Sequence, residues 1–185
     1  MNPILLDIPE SFTSERLVLR CSRSGDGPAI NAAISESIVE LRQWMPWARE
    51  VPSVEDSEVY SRQSQANFLT RSDLTLRMLR PSDGLMVGSI GLHPRNWDVP
   101  SFEIGYWCRT SLCGQGYATE AVRAVTGFAQ THFKARRIQI RCDAENRRSQ
   151  RVALAAGYVL EGTSVDDCRN CDGQLRTSHT YARLL

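Results

Sequence analysis

The chain has 185 residues, of which 42% are hydrophobic and 23% are charged, and its formal net charge is +1. This length suits one domain with a sizeable core, so we predict a single domain over residues 1–185. A net charge so close to zero gives no basic field that would hold nucleic acid or an anionic membrane. Small-molecule or protein partners are therefore favoured.

The sequence gives no sign of export or of membrane insertion. Its first ten residues lack a basic region followed by a long apolar run, and no stretch of roughly 18 apolar residues occurs. Six cysteines are too few for a disulfide scaffold in a chain of this length, and several occupy apolar strand positions. We predict a cytoplasmic protein with reduced thiols and no structural disulfides.

The first third of the chain is predicted to hold one strand and three helices. Pro28 suits the first turn of a helix, and Ser53 with Asp56 forms a capping-box pattern. The predicted elements are a half-buried strand at 16–21, a helix opening at Gly27, a second short helix at 37–44 and a largely exposed helix at 54–71. The last of these has only a thin apolar face, formed by Val59, Ala66 and Leu69.

Three strands are predicted to follow one another without an intervening helix, at residues 74–80, 85–93 and 102–108. Residues 81–84 form a turn of Pro, Ser, Asp and Gly, and residues 94–100 form a polar loop. Strands joined in this way pair as an antiparallel meander.

A short glycine loop follows the third strand of the meander. Gly114 and Gly116 lie between that strand and a helical run whose apolar face includes Ala121, Val122 and Val125. Glycine allows a ligand to approach the backbone closely, and the first N–H groups of the helix attract an anion. The pattern predicts a phosphate-binding site, although two glycines alone are common in ordinary turns.

The last third of the chain is predicted to complete a mixed sheet. The strand at 138–143 is separated from the previous strand by a helix, so the two should be parallel neighbours joined by a right-handed crossover. Asn146 is predicted to cap another helix, which stops at Gly157. A final hairpin pairs residues 158–164 with 177–184, with its tip at 170–173.

These residues also carry a family resemblance. The motifs, in chain order, are Ser14 to Arg20, Trp44-Met45-Pro46-Trp47, Glu103 to Trp107, Gly114 to Ala121, Asn146 with Ser149, Ala156-Gly157-Tyr158 and Glu161-Gly162. In this combination the chain resembles the GNAT acetyltransferases, and within them the RimJ/RimL type, which acetylates protein N-termini. The resemblance covers nearly the whole chain. It implies the GNAT α/β fold, with an antiparallel meander joined to a parallel strand pair.

In that fold the strands at 102–108 and 138–143 splay apart and hold the pantetheine arm of acetyl-CoA. The resemblance implies that the pantetheine pairs with backbone groups of Trp107 and Cys108. Asn146 is expected to orient either the pantetheine or Ser149. The pyrophosphate is expected to meet the backbone amides of the glycine loop, which are those of Cys113, Gly114, Gln115, Gly116, Tyr117 and Ala118. The family usually has Gln or Arg where this chain has Ser111, and Arg where it has Cys113. The departure removes a cation but keeps the amides, and Arg109 is a candidate substitute.

Acetyl transfer to an amine requires a neutral amine, a stabilised oxyanion and a proton for the departing thiolate. Glu103 is a candidate base acting through water, or alternatively a surface carboxylate. The resemblance implies that Ser149 is the acid and that Asn146 orients it. The spacing alone favours the simpler interpretation, in which Asn146 and Ser149 only cap a helix.

The remaining residue types allow fewer conclusions. Trp44 and Trp47 are either core filler or, as the resemblance implies, one wall of the acceptor pocket. Cys168, Cys171 and His179 provide only half of a zinc site, so we predict no metal. His93 follows an apolar strand and could act as a base, but a lone histidine at a strand end is more often structural or solvent-facing, so it receives no role.

The favoured function is direct acetyl transfer from acetyl-CoA to a primary amine, in the N-terminal α-amine class that the resemblance indicates. Two alternatives stay open on sequence alone. One is a non-catalytic CoA-binding sensor or interaction module, and the other is an acetyltransferase for a small amine such as a polyamine or an antibiotic. The resemblance also implies a homodimer.

Overall fold

The computed structural model describes residues 2–170 and 172–185. Within those residues one mixed sheet holds eight strands, in the order β1-β2-β3-β4-β5-β6-β8-β7. The strands are β1 (Ser11–Thr13), β2 (Val18–Cys21), β3 (Leu74–Leu79), β4 (Met86–Asn96), β5 (Ser101–Cys108), β6 (Arg137–Asp143), β7 (Val159–Arg169) and β8 (Leu175–Leu184). The helices of the same described residues are α1 (Gly27–Trp44), α2 (Val54–Thr70), α3 (Tyr117–Phe133) and α4 (Arg147–Ala155), with short 3-10 turns at Pro3–Leu5 and Thr110–Leu112.

The predicted mixed sheet is confirmed. β3, β4 and β5 form the antiparallel meander, and β5 and β6 are parallel neighbours with α3 between them in sequence. β6 then pairs antiparallel with β8, and β8 pairs antiparallel with β7. The cap at the start of α4 is also present, because the Asn146 side chain accepts a hydrogen bond from the Ser149 N–H.

Two details of the first third of the chain were predicted wrongly. A single helix, α1, replaces the two that were expected, since no Gly or Pro interrupts it after Pro28 and it ends only before Pro46. In mid-helix Ser37 is buried, and its hydroxyl accepts the Thr110 N–H at 3.0 Å. The strand β1 was not predicted at all.

The buried face of α2 is not the apolar face that its sequence suggested. Val59 and Leu69 are 61% and 50% exposed. The buried positions are instead one phenylalanine and three serines: Ser57, Ser61, Ser64 and Phe68. Serine is small enough for close helix packing, and its hydroxyl can bond locally. The Ser61 hydroxyl, for example, donates to the Arg23 carbonyl at 2.8 Å.

The close packing of α1 on α2 leads to a stability prediction. A Cβ at Gly27 would lie 2.8 Å from the backbone Cα of Glu58, whose carboxylate accepts the Gly27 N–H at 3.0 Å. We expect Gly27→Ala to lower the free energy of unfolding by about 1–3 kcal/mol in urea denaturation, because the helices must move apart.

The matched control for this substitution is Gly127→Ala in α3. Gly127 is exposed within a helix and a Cβ there would meet nothing within 4 Å. Alanine should therefore raise the free energy of unfolding by about 0.5–1 kcal/mol, through helix propensity alone. Equal effects of the two substitutions would contradict the packing argument.

The ends of two elements also differ from expectation. β4 continues through Pro94 to Asn96, with a register shift between them, so the polar loop is shorter than residues 94–100. The terminal hairpin is longer than predicted, and Cys171, expected at its tip, lies outside the described residues.

Two apolar clusters flank the sheet. α3 buries its apolar face in the larger one, which includes Phe102, Ile104 and Ile138. α1 buries Ile30, Ile34 and Leu41 in the smaller one. In the described part of the chain, none of the helices combines the length and hydropathy needed to cross a membrane. The cysteines among those residues, which are Cys21, Cys108, Cys113, Cys142 and Cys168, carry free thiols.

Candidate active site

A large cleft opens where β5 and β6 part. Their parallel pairing ends at Glu103 with Gln139, although β5 continues to Cys108 and β6 continues to Asp143. The space beyond that last pair belongs to a cleft of about 1210 Å³. Strand edges that part in this way can offer backbone groups to an extended ligand.

The glycine loop lies along this cleft, at the start of α3. Gly114 and Gly116 have left-handed backbone conformations, with φ of 79° and 85°, which side chains adopt only with strain. α3 begins at the next residue, so its first N–H groups are available to an anion. The predicted loop residues that line the cleft are Cys113, Gly114, Gly116, Tyr117 and Ala118.

Gln115 is the one member of the predicted loop set that is not part of this lining. Its side-chain amide donates to the Ser111 carbonyl at 3.3 Å, and its own carbonyl accepts from Arg16 Nη1 at 3.0 Å. The Gln115 side chain therefore stabilises the loop conformation internally.

An ion pair from the start of the chain supports the loop. Arg16 Nε donates to Glu120 Oε2 at 2.8 Å, and its guanidinium lies 4.7 Å above the ring of Tyr117. Glu120 Oε1 accepts the Ser14 hydroxyl at 2.7 Å. Because Arg16 is 99 residues from Gln115 in sequence, no local pattern could have revealed this contact.

The two positions that depart from the family pattern have local partners. The Ser111 N–H donates to Glu36 at 3.0 Å, and the Cys113 thiol contacts the Cys108 carbonyl. Arg109, the candidate substitute cation, is paired with Glu36 at 2.8 Å and also donates to the Met86 carbonyl. The cation nearest to the glycine loop in these contacts is Arg16, which sequence reasoning missed.

Ser149 lies on the α3 side of the sheet, beside Tyr106. The two hydroxyls are 2.9 Å apart, and the tyrosine hydroxyl is also 3.2 Å from the Ser149 carbonyl. Burial raises the pKa of Tyr106 above its usual range, so the phenol stays protonated at neutral pH. Asn146 accepts the Ser149 N–H at 3.0 Å and thereby fixes the first turn of α4. Both Asn146 and Ser149 line the cleft.

Glu103 lines the cleft at the point where β5 and β6 part. Its Oε2 accepts the side-chain amide of Gln139 at 2.8 Å, and Arg95 approaches the same oxygen at 3.4 Å. The carboxylate is therefore held by two donors from neighbouring strands.

The opposite face of β5 carries an aromatic wall. Trp44 and Trp47 both line the cleft, and Trp47 is 51% exposed. Trp47 lies 6.3 Å from Trp107, measured between ring centroids. Trp44 is half-buried and Trp47 is exposed, so both indoles present surface to the cleft.

A family model described as an acetyltransferase (GNAT) domain matches residues 16–159. This match covers most of the chain and includes the splayed strands, the glycine loop and the Asn146 cap. The protein belongs to the GNAT acetyltransferases. As a member of this family it is an N-acetyltransferase that uses acetyl-CoA as the acetyl donor.

A curated relative supports this assignment, and two solved structures share the fold. The ribosomal-protein-serine acetyltransferase of Escherichia coli K12 is 30% identical over 151 residues, which cover 80% of this chain and 82% of that protein. RimL, a ribosomal L7/L12 α-N-protein acetyltransferase solved with coenzyme A, superposes with a TM-score of 0.85 at 22% identity, over 96% of this chain and 97% of RimL. The microcin C7 self-immunity acetyltransferase MccE, solved with acetyl-CoA and AMP, superposes with a TM-score of 0.84 at 19% identity, over 92% of this chain and 93% of MccE.

This GNAT chain contains a further polar group that the sequence interpretation left without a role. His93 lines the cleft on the same side as the indoles, and its Nδ1 is hydrogen-bonded to Asp73 Oδ1. The only sequence signal was a histidine at a strand end. Asp73 is 20 residues away in sequence, so its pairing with His93 depends on the register of β3 and β4.

Proposed function

We propose that this acetyltransferase modifies the N-terminal α-amine of a protein, of the ribosomal protein class, by direct transfer from acetyl-CoA. The observation that carries the proposal is the continuity of the cleft. It runs from the glycine loop, through the gap between β5 and β6, to the wall formed by Trp44 and Trp47. Donor and acceptor can therefore meet at the gap without an acetylated enzyme intermediate.

Acetyl-CoA is proposed to lie along the first part of this cleft. Its pantetheine would pair with backbone groups of Trp107 and Cys108, in the stretch of β5 that has no partner in β6. Its pyrophosphate would meet the amides of Cys113, Gly114, Gly116, Tyr117 and Ala118 at the start of α3. Arg16, held against the loop by Glu120, adds positive charge that the Cys113 position lacks.

Ser149 is proposed as the acid that protonates the departing thiolate. Its hydroxyl is oriented by Tyr106 and its backbone by Asn146. A hydroxyl at hydrogen-bond distance needs no perturbed pKa to give a proton to a thiolate. The serine regains its proton from the amine nitrogen as that nitrogen becomes the amide, and the Tyr106 hydroxyl, 2.9 Å away, holds the serine in place.

The acceptor is proposed to enter past the exposed indoles. Trp47 is half exposed at the mouth of a wide cleft, an arrangement that admits the end of a peptide chain. The E. coli relative at 30% identity is named for acetylation of a ribosomal protein at serine, which supports the same substrate class for this chain.

The test is an acetyl-CoA-dependent assay of thiol release with three acceptors. These are a peptide with a free N-terminal serine and one internal lysine, the same peptide with its N-terminus blocked, and the polyamine spermidine. An α-amine has a pKa near 8 and lysine one near 10.4, so at pH 7 the α-amine is neutral some hundred-fold more often. We expect turnover with the free peptide alone. Turnover with spermidine and not with the peptide would assign a small-amine acceptor instead.

A further inference from the structure

The imidazole of His93 lies flat over two glycines on the floor of the cleft. A Cβ at Gly91 would be 2.4 Å from Nε2 of His93, and a Cβ at Gly105 would be 3.2 Å from the same atom. Gly91 and Gly105 face each other across β4 and β5. The space that two side chains would fill is occupied by one imidazole, so this part of the sheet is shaped around His93.

Asp73 fixes which nitrogen of His93 carries the proton. The aspartate is bonded to Nδ1 of His93, and a carboxylate only accepts, so the neutral imidazole has its hydrogen on Nδ1 and its lone pair on Nε2. Asp73, His93 and Gly105 all line the cleft. The lone pair at Nε2 is thus presented on the acceptor side of the sheet.

The position along β5 places this nitrogen near the gap. Gly105 is two residues beyond Glu103, where pairing with β6 ends. Because side chains alternate along a strand, Gly105 and Trp107 share the acceptor face, whereas Tyr106 points to the other face and contacts Ser149. His93 and Ser149 therefore flank the same opening from opposite sides.

We propose that His93 is the general base that deprotonates the acceptor amine, and that Asp73 positions it. The inference rests on the proposed function. Nε2 takes one proton from the incoming ammonium, and the freed nitrogen lone pair attacks the thioester carbonyl carbon. The carbon–sulfur bond then breaks with its electron pair on sulfur, and the second nitrogen proton is lost as the thiolate is protonated. Nε2 releases its proton to solvent.

The alternative base, Glu103, is less suited to this step. Its Oε2 already accepts a hydrogen bond from Gln139 at 2.8 Å and lies 3.4 Å from Arg95, so this oxygen is occupied by donors from two neighbouring strands. An imidazole with a free nitrogen is the better proton acceptor near neutral pH.

The surroundings of His93 determine the pH dependence. Burial disfavours its charged form, but the hydrogen bond and charge of Asp73, with the charge of Glu103, outweigh this and raise the pKa of His93. Arg95 pairs with Glu103, and from α2 Tyr60 lines the same cleft. Since the base form is the neutral one, activity should fall as the pH drops through this raised pKa.

The test compares His93→Gln and Asp73→Asn with the wild-type protein in acetylation of a peptide with an N-terminal serine. We expect His93→Gln to lower kcat by about 10²-fold at pH 7, with acetyl-CoA affinity unchanged, and its rate to rise with pH as free amine accumulates. With a low-pKa acceptor such as trifluoroethylamine, which is already neutral at pH 7, the same substitution should lower kcat much less. Asp73→Asn should move the acid limb of the pH profile to lower pH, because the carboxylate that raises the pKa of His93 is gone.

The matched control is His179→Gln. This histidine lies on β8, and in the described part of the chain its only side-chain hydrogen bond is to Thr163. The variant should have wild-type kcat and a wild-type pH profile. Melting curves must show that each variant is folded. If His93→Gln kept wild-type turnover and an unaltered pH profile, His93 would not be the base, and the proposed function would still stand. Loss of the acid limb in Glu103→Gln would then point to Glu103 as the base. Absence of wild-type turnover with every amine would overturn the proposed function as well.

Discussion

Replacing Ser149 with alanine is expected to lower kcat by about 10²-fold or more while leaving the affinity for acetyl-CoA within a factor of about three, since general acids typically contribute 10²–10⁴ to rate. The Ser149 hydroxyl is held 2.9 Å from the Tyr106 hydroxyl, and both residues line the cleft. Without the serine the thiolate must leave unprotonated or wait for water. Steady-state kinetics and calorimetric titration of acetyl-CoA measure the two quantities separately.

Tyr106→Phe distinguishes the acid from its support. This change leaves the Ser149 hydroxyl in place but removes the group that orients it, so the loss in kcat should be smaller than for Ser149→Ala. Ser164→Ala, on the exposed strand β7, is the surface control and should leave kcat unchanged. Unchanged turnover in Ser149→Ala would remove this serine from the mechanism, whereas a larger loss in Tyr106→Phe would make the tyrosine the acid.

Replacing Gly114 with alanine is expected to weaken acetyl-CoA binding by roughly ten-fold. Gly114 has a φ of 79°, and a left-handed conformation costs a residue with a side chain about 1–2 kcal/mol. The loop can relieve this strain by turning its amides away from the pyrophosphate position. Binding then loses up to the strain energy, and 1.4 kcal/mol corresponds to a factor of ten.

Gly84→Ala is a matched control for this substitution. Gly84 has a φ of 69°, and a Cβ at either glycine would meet nothing within 4 Å. The two substitutions therefore carry the same backbone penalty in equally open space, but Gly84 lies in the turn between β3 and β4. Gly84→Ala should lower stability without affecting the affinity for acetyl-CoA. Equal affinities in the two variants would contradict a role for the glycine loop in cofactor binding.

The cofactor side of the site could be predicted because its chemistry is local in sequence. A strand, two glycines and the start of α3 are consecutive, and left-handed glycines followed by free helix N–H groups form a backbone arrangement that suits an anion. The Asn146 cap is also a short-range feature, three residues from the amide it satisfies. Arg16 could not be predicted as a support for this loop, because it reaches Gln115 and Glu120 only after β2 and α3 pack together.

The amphipathic pattern was informative where helices pack on the sheet and misleading where they pack on each other. α3 buries Val122, Val125 and Phe128 as its periodicity indicates. α2 buries three serines with Phe68 and leaves Val59 exposed, and its backbone at Glu58 lies so close to α1 that the facing residue, Gly27, has no room for a side chain. Hydropathy measures transfer from water to an apolar interior, and it does not measure the distance between two backbones.

The sequence by itself determined the order of elements from α2 onward, the antiparallel meander with its parallel neighbour, the glycine loop and the family to which the chain belongs. These follow from periodicity, turn residues and short motifs, all of which act over a few residues. Only the tertiary structure decided which polar groups meet at the opening between β5 and β6. The pairing of Asp73 with His93 and of Tyr106 with Ser149 depends on strand register and on the packing of α4, and these long-range contacts leave no local pattern.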